Sequence, residues 1–227
     1  MYASASTWLF NVTRQVLQTT QKEKVQVTFV SGREKTLALG GPGTLTLIKS
    51  HEINDDSRIV DVVRHSRKIL ITMRDPRDAV TSLMQAHKYD FGRALDLAEQ
   101  SARLCGSFAK DRRAKLFHYE SGFFEDVCTV KAVAEHLGHG VENGIIQTIY
   151  GSLIRAEVEK HIGKMPKLAG ILKDAVSGDL LDTKTQWHSH HAGRNGEIGK
   201  WKKALTPKQA SEVERRVDFY FEKLQAL

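Results

Sequence analysis

Four short segments of this sequence carry side chains able to do chemistry. In Lys49-Ser50-His51-Glu52 a histidine stands two residues after a lysine, and on an extended backbone that spacing turns both side chains to one side. An imidazole with an ordinary pKa of about 6.5 accepts a proton from a hydroxyl near neutral pH, and a fixed cation beside it offsets negative charge as it develops. Ser4-Ala5-Ser6-Thr7-Trp8 puts small and hydroxylated residues at the start of an amphipathic run. Free backbone N–H groups and the positive end of a helix dipole make such a place attractive to phosphate. Taken alone, the segment serves equally well as a helix cap, and it lacks the glycine spacing and lysine of a nucleoside triphosphate loop.

The third segment runs from Arg74 to Ser82, with the serine eight positions beyond the arginine. Arg74 at a strand end and Ser82 in the following helix can both turn toward a phosphate; a charged turn with Asp78 as helix cap is the alternative. The fourth is Arg194-Asn195-Gly196-Glu197-Ile198-Gly199-Lys200-Trp201-Lys202. Its glycines permit close approach of backbone to a ligand, Arg194 supplies a phosphate fork and Trp201 anchors the loop. A plain basic surface loop has the same composition. His188, His190 and His191 lie just ahead of it without an obvious carboxylate partner, which favours a solvated loop over a metal centre. No metal ligand set is evident elsewhere.

These segments need elements to position them. Apolar spacing at Trp8, Leu9, Val12, Val16 and Leu17 predicts a helix from about Ser6, with Ser4 and Ser6 as candidate N-caps. Val25, Val27 and Phe29 alternate as a strand does, Thr44 to Ile48 forms a second, and the apolar run Ile69 to Met73 a third, buried on both faces. A helix then starts near Asp78, another covers residues 92 to 110, Lys115 to Tyr119 is a strand, and Phe123 to Leu137 is helical. Residues 138 to 200 read as less regular. Thr206-Pro207-Lys208-Gln209 is a capping box opening a last amphipathic helix. Strands alternating with helices predict a three-layer α/β sandwich, with a mostly parallel central sheet and helices on both faces.

The bulk properties agree with one such domain over residues 1–227. Hydrophobic residues make up 41% and charged residues 27%, a globular balance. No apolar run approaches the roughly 20 residues of a membrane span and no secretory leader is apparent, so a cytoplasmic location is expected. The formal charge of +7 suits an anionic partner. Cys105 and Cys128 are expected as reduced, packed thiols.

Taken in order, the segments resemble the cytosolic-type sulfotransferases that use 3′-phosphoadenosine 5′-phosphosulfate (PAPS). That family shows a Lys-Ser-Gly-Thr-Thr-Trp-like loop, a Lys-Thr-His-like segment, an Arg-x(7)-Ser motif after a buried strand, a Tyr-Glu-Asp-like segment and an Arg-Lys-Gly-x-x-Gly-x-Trp-Lys loop. Here they stand as Ala3 to Trp8, Lys49 to His51, Arg74 to Ser82, Tyr119-Glu120-Ser121 and Arg194 to Lys202. The resemblance implies a P-loop NTPase-like sandwich, PAPS as donor and 3′,5′-bisphosphorylated adenosine (PAP) as product. It implies His51 as general base, Lys49 as charge stabiliser, and Ser4, Ala5, Ser6, Thr7 and Trp8 around the 5′ side of the nucleotide. Arg74, Ser82, Arg194, Asn195 and Gly196 would hold the 3′-phosphate, and Tyr119 the adenine. The acceptor would be a small molecule or carbohydrate bearing a hydroxyl or amine, with no nucleic acid partner; a homodimer is compatible. Two positions depart from the pattern: Ala3 stands where the family has a basic residue, and Asn195 where it has lysine. The strand expected before the phosphate loop has only Met1 to Ala3 to form from. A PAP- or PAPS-binding protein with impaired chemistry is therefore the alternative, and a nucleotide-dependent kinase a more distant one.

Overall fold

The computed structural model describes residues 1–21, 24–30, 39–51, 59–173, 178–191 and 196–225. Its first elements are helix α1 (Ser6–Thr20), strands β1 (Lys24–Val30) and β2 (Thr44–Ser50), and helix α2 (Ile59–His65). Strand β3 (Ile69–Met73) leads into helices α3 (Pro76–His87) and α4 (Phe91–Phe108), strand β4 (Ala114–His118) and helix α5 (Cys128–Leu137). Helices α6 (Asn143–Ser152) and α7 (Arg155–Lys164) precede the short strands β5 (Ile171–Lys173) and β6 (Leu180–Asp182), and helices α8 (Trp201–Ala204) and α9 (Pro207–Gln225) close the chain.

β3 and β4 pair in parallel with Ile71 opposite Leu116, and their side chains sort by parity onto two faces. On one face Ile71 and Met73 pack with Val80 and Leu83 of α3, Leu95 of α4 and Val213 of α9. On the other, Leu70 and Phe117 meet Val12 and Val16 of α1 and Val130 and Val133 of α5. Both faces are thus covered by helices, which gives the three layers and explains why the β3 sequence is apolar throughout.

β1 and β2 form a second parallel pair, in register from Lys24 opposite Thr44 to Val30 opposite Ser50. Where the sequence predicts one continuous sheet, the described residues form two parallel pairs and a small antiparallel β5–β6 pair. A cavity of about 580 Å³ separates β2 from β3 and is lined by Thr44 to His51 on one side and Ile69 to Thr72 on the other. At the C-terminal end of β3 the Met1 amino group donates to the Thr72 carbonyl at 2.8 Å, and the Ser4 and Thr72 hydroxyls bond at 2.6 Å.

Several local expectations change. α1 begins after Ala5, which is in the left-handed region (φ 58°) and offers no side-chain cap, so neither Ser4 nor Ser6 caps it. α3 begins at Pro76, and Asp75 rather than Asp78 caps it by accepting from the Arg77 N–H at 2.9 Å. Proline at the first helical position fits this, since the N–H it lacks would be unsatisfied there while the cap accepts from the next residue. Residues 138 to 200 hold two helices, α6 and α7, that their composition hides. Cys105 is buried as expected, whereas Cys128 is exposed. The capping box at Thr206 forms, with Thr206 N–H donating to Gln209 Oε1 at 3.0 Å and Gln209 N–H to Thr206 Oγ1 at 3.3 Å. None of the described helices is both long and apolar enough to cross a membrane.

Candidate active site

The C-terminal ends of β2 and β3 and the first turn of α1 converge on the loop Ala3 to Thr7. Ala3 and Ala5 both hold positive φ, 52° and 58°, a conformation that costs an L-residue roughly 1–2 kcal/mol. Left-handed residues directly ahead of a helix are the backbone pattern found in anion-binding turns. Ser4 is fully buried and spends its hydroxyl on Met1 O and Thr72 Oγ1. Ser6 lines the cavity. Thr7 Oγ1 accepts from Lys49 Nζ at 2.6 Å. Trp8 is a core residue: its Nε1–H donates to the Leu153 carbonyl at 3.1 Å and its ring packs edge-on against Phe123.

Lys49 is buried, and burial draws its pKa down to about 7. The ammonium thus stands poised between its two charge states beside the first turn of α1. Arg14, the other cation near this helix, is committed along α1, with Nε on Asn11 and Nη1 on Gln18. Of these two, Lys49 is therefore the cation that meets the start of α1, through Thr7. His51 follows at half-buried depth, its ring stacked on Tyr2 at 4.6 Å. Its Nδ1 is buried and makes no hydrogen bond among the described residues. Burial above all, then Lys49, the Met1 amino group, His188 and His191, hold its pKa well below the ordinary histidine range. The imidazole is therefore neutral near pH 7.

On the other side of the loop, Arg74 is buried and donates from Nη1 to the Ala3 carbonyl at 2.8 Å and from Nη2 to the Glu197 carbonyl at 2.9 Å. Its guanidinium lies 4.0 Å over the Tyr119 ring, and the Tyr119 hydroxyl donates to the Gly196 carbonyl at 2.9 Å. A Cβ at Gly196 would come within 1.5 Å of Tyr119 Oη, so any larger residue there displaces the tyrosine or the loop. Ser82 is buried on α3. Arg74, Tyr119 and Gly196 are thereby brought together, while Arg194 and Asn195 lie outside the described residues. Composition had not pointed to Asp78 as the residue that fixes the last loop: its carboxylate accepts from Gly199 N–H at 2.6 Å and Trp201 N–H at 3.0 Å, and lies 3.7 Å from Arg74 Nη2. Arg77 pairs with Asp75 and lies 4.0 Å over the Trp201 ring, which leaves Asp78 to the loop. Trp187 is buried in the core on the α1 side, in contact with His191.

This arrangement of two left-handed residues before a helix, a buried lysine and an arginine on an aromatic ring can be set beside known structures. The chain superposes on the crystal structure of mouse sulfotransferase SULT7A1 complexed with PAP with a TM-score of 0.61 at 18% sequence identity, covering 98% of this chain and 84% of that one. The fold is that of the sulfotransferases. Retinol dehydratase in complex with androsterone and inactive cofactor PAP has the same fold, with a TM-score of 0.51 at 17% identity over 81% of this chain and 55% of that one. No family model and no curated protein matches the sequence. The tertiary structure thus carries the fold expected from the sequence motifs, at 17–18% identity.

Proposed function

We infer that this chain transfers a sulfuryl group from PAPS to a hydroxyl or amine of a small acceptor, leaving PAP. The observation that carries the reading is the junction of Lys49 with Thr7 at the start of α1, two residues from a His51 whose buried Nδ1 is unengaged. In the reaction the acceptor oxygen or nitrogen forms a bond to sulfur, the bond between sulfur and the donor phosphate oxygen breaks, and the acceptor proton passes to His51. Negative charge spreads over the sulfuryl oxygens as this happens, by analogy with phosphoryl transfer, so positioned N–H groups and Lys49 supply the stabilisation. An arriving anion also draws Lys49 back to its charged form. Arg74, Ser82 and Gly196, with Arg194 and Asn195, are assigned to the 3′-phosphate, and Tyr119 to the adenine.

Transfer from labelled PAPS to a panel of phenols, alcohols, amines and sugars tests the activity. His51→Ala is expected to lose at least about 100-fold in turnover while PAP still raises the melting temperature; an unimpaired His51→Ala enzyme overturns the role of His51. Ala3 keeps a second reading in view, a PAP-binding protein without transfer activity, because a missing transition-state cation costs on the order of 100-fold or more. A melting-temperature increase with PAP but none with ATP, together with no transfer to any acceptor, favours that second reading. Stabilisation by ATP in preference to PAP favours a kinase and overturns both.

A further inference from the structure

Close enough to His51 for His188 to act on its pKa, the segment around β6 gathers a set of metal-binding side chains. The sequence separates Asp179 from His188 by nine residues, but the backbone bridge between Leu181 and His188 and the bond from Leu180 N–H to Ser189 Oγ at 3.0 Å fold the two stretches together. His188 Nδ1 and His190 Nδ1 then lie 2.7 and 2.8 Å from the same oxygen, Asp179 Oδ2. One ligand atom from each of the three residues falls within 4.8 Å of the other two. The second carboxylate oxygen, Oδ1, is held by the Ser189 hydroxyl at 2.5 Å and the His190 N–H at 3.2 Å, which fixes the carboxylate's orientation. The carboxylate partner missing from the sequence reading is therefore present.

We propose that Asp179, His188 and His190 bind one divalent transition-metal ion of the zinc class. Two imidazoles and a carboxylate are a zinc donor set, with water or a ligand completing a tetrahedron. Bonds of about 2.0–2.1 Å at tetrahedral angles set donor atoms roughly 3.3 Å apart, so the two histidine-to-aspartate separations need open by only about half an ångström. Ser189 and the His190 N–H supply the outer contacts that orient such a ligand. The three side chains are 33%, 18% and 18% exposed for His188, His190 and Asp179, enough for an ion to reach them. Imidazole favours zinc, copper, nickel and cobalt over magnesium or calcium, and the pair of histidines excludes a hard-cation site. The inference is independent of sulfuryl transfer.

Chelator-treated full-length protein titrated with Co²⁺ and followed by visible absorption tests it directly, with Zn²⁺ binding measured by calorimetry. One equivalent per chain is expected, with visible bands of a low-coordinate Co²⁺ site that Zn²⁺ abolishes. Asp179→Asn and His190→Ala should each weaken Zn²⁺ binding at least about tenfold, whereas His65→Ala, on α2, should leave it unchanged. The parent protein alone decides the matter should a variant fail to fold. No saturable binding below about 1 mM, or equal loss in His65→Ala, overturns the proposal.

Discussion

At the scale of single residues, the site combines side chains that are costly to bury with backbone that is costly to bend. Lys49 sits in the interior with a pKa near 7 against an ordinary 10.5. A lysine lowered in this way is neutral in the folded chain and charged in the unfolded chain between about pH 7 and 10.5, so stability rises with pH across that window and the full penalty is felt below it. His51 acts in the same direction lower on the scale, since the unfolded histidine takes up a proton below about pH 6.5 that the folded one refuses. Lys49→Met should accordingly raise stability at pH 6 by up to about 5 kcal/mol, with the gain shrinking toward pH 10, while sulfuryl transfer is lost. Urea denaturation at pH 6 and pH 9 checks it; a Lys49→Met protein less stable than the parent at pH 6 sinks the account of Lys49 as an uncompensated buried charge. Gly196 offers a second residue-scale test. Gly196→Ala drives a methyl into Tyr119 Oη and should cost about 1–3 kcal/mol. Part of that loss should return in the Gly196→Ala, Tyr119→Phe double variant, because the phenolic oxygen is the atom in the way; no recovery in denaturant midpoint would show that the clash is relieved elsewhere.

At the scale of elements, three turns are tied together without sharing a strand or helix. The Ala3 carbonyl and the Glu197 carbonyl meet on Arg74 at the end of β3, and Asp78 in the first turn of α3 holds Gly199 and Trp201 ahead of and within α8. Asp78 and Arg74 are both almost fully buried. Removing one partner of such a pair leaves an uncompensated charge, at a typical cost of 3–5 kcal/mol. Asp78→Ala should therefore lower global stability by about 3 kcal/mol and, because the loop from Gly196 to Lys200 loses its anchor, speed amide hydrogen exchange there more than in α5. Uniform acceleration throughout the chain would contradict the loop-anchoring role.

For the whole molecule, the two apolar clusters share β3 and β4 between them, so neither layer of helices can separate without exposing the sheet. We propose that residues 1–227 unfold as one cooperative unit. Met73→Ala on one face and Val133→Ala on the other, both fully buried, should each shift the same transition, Met73→Ala by about 2–5 kcal/mol. Two transitions by fluorescence and circular dichroism, each moved by only one of the variants, would divide the molecule into separate units.

Much of the fold was legible because it rests on short-range rules. The alternation of strand and helix, the apolar run Ile69 to Met73 and the capping box at Thr206 are set by periodicity and by local hydrogen bonding, which act over a few residues. The candidate site was legible in the residue types Lys49, His51 and Arg74, because proton transfer and anion binding admit few side chains, whereas Tyr119 entered only through the family resemblance. What these residues touch was not legible. That Lys49 meets Thr7, that Asp78 leaves the cap of α3 to Asp75 and grips a loop more than 100 residues away, and that Asp179 joins His188 and His190 depend on contacts between segments distant in the chain. The sequence by itself determined which elements form and which chemistry is available; the tertiary structure alone decided which side chains share a buried volume, because burial and pairing energies exist only once distant segments have packed.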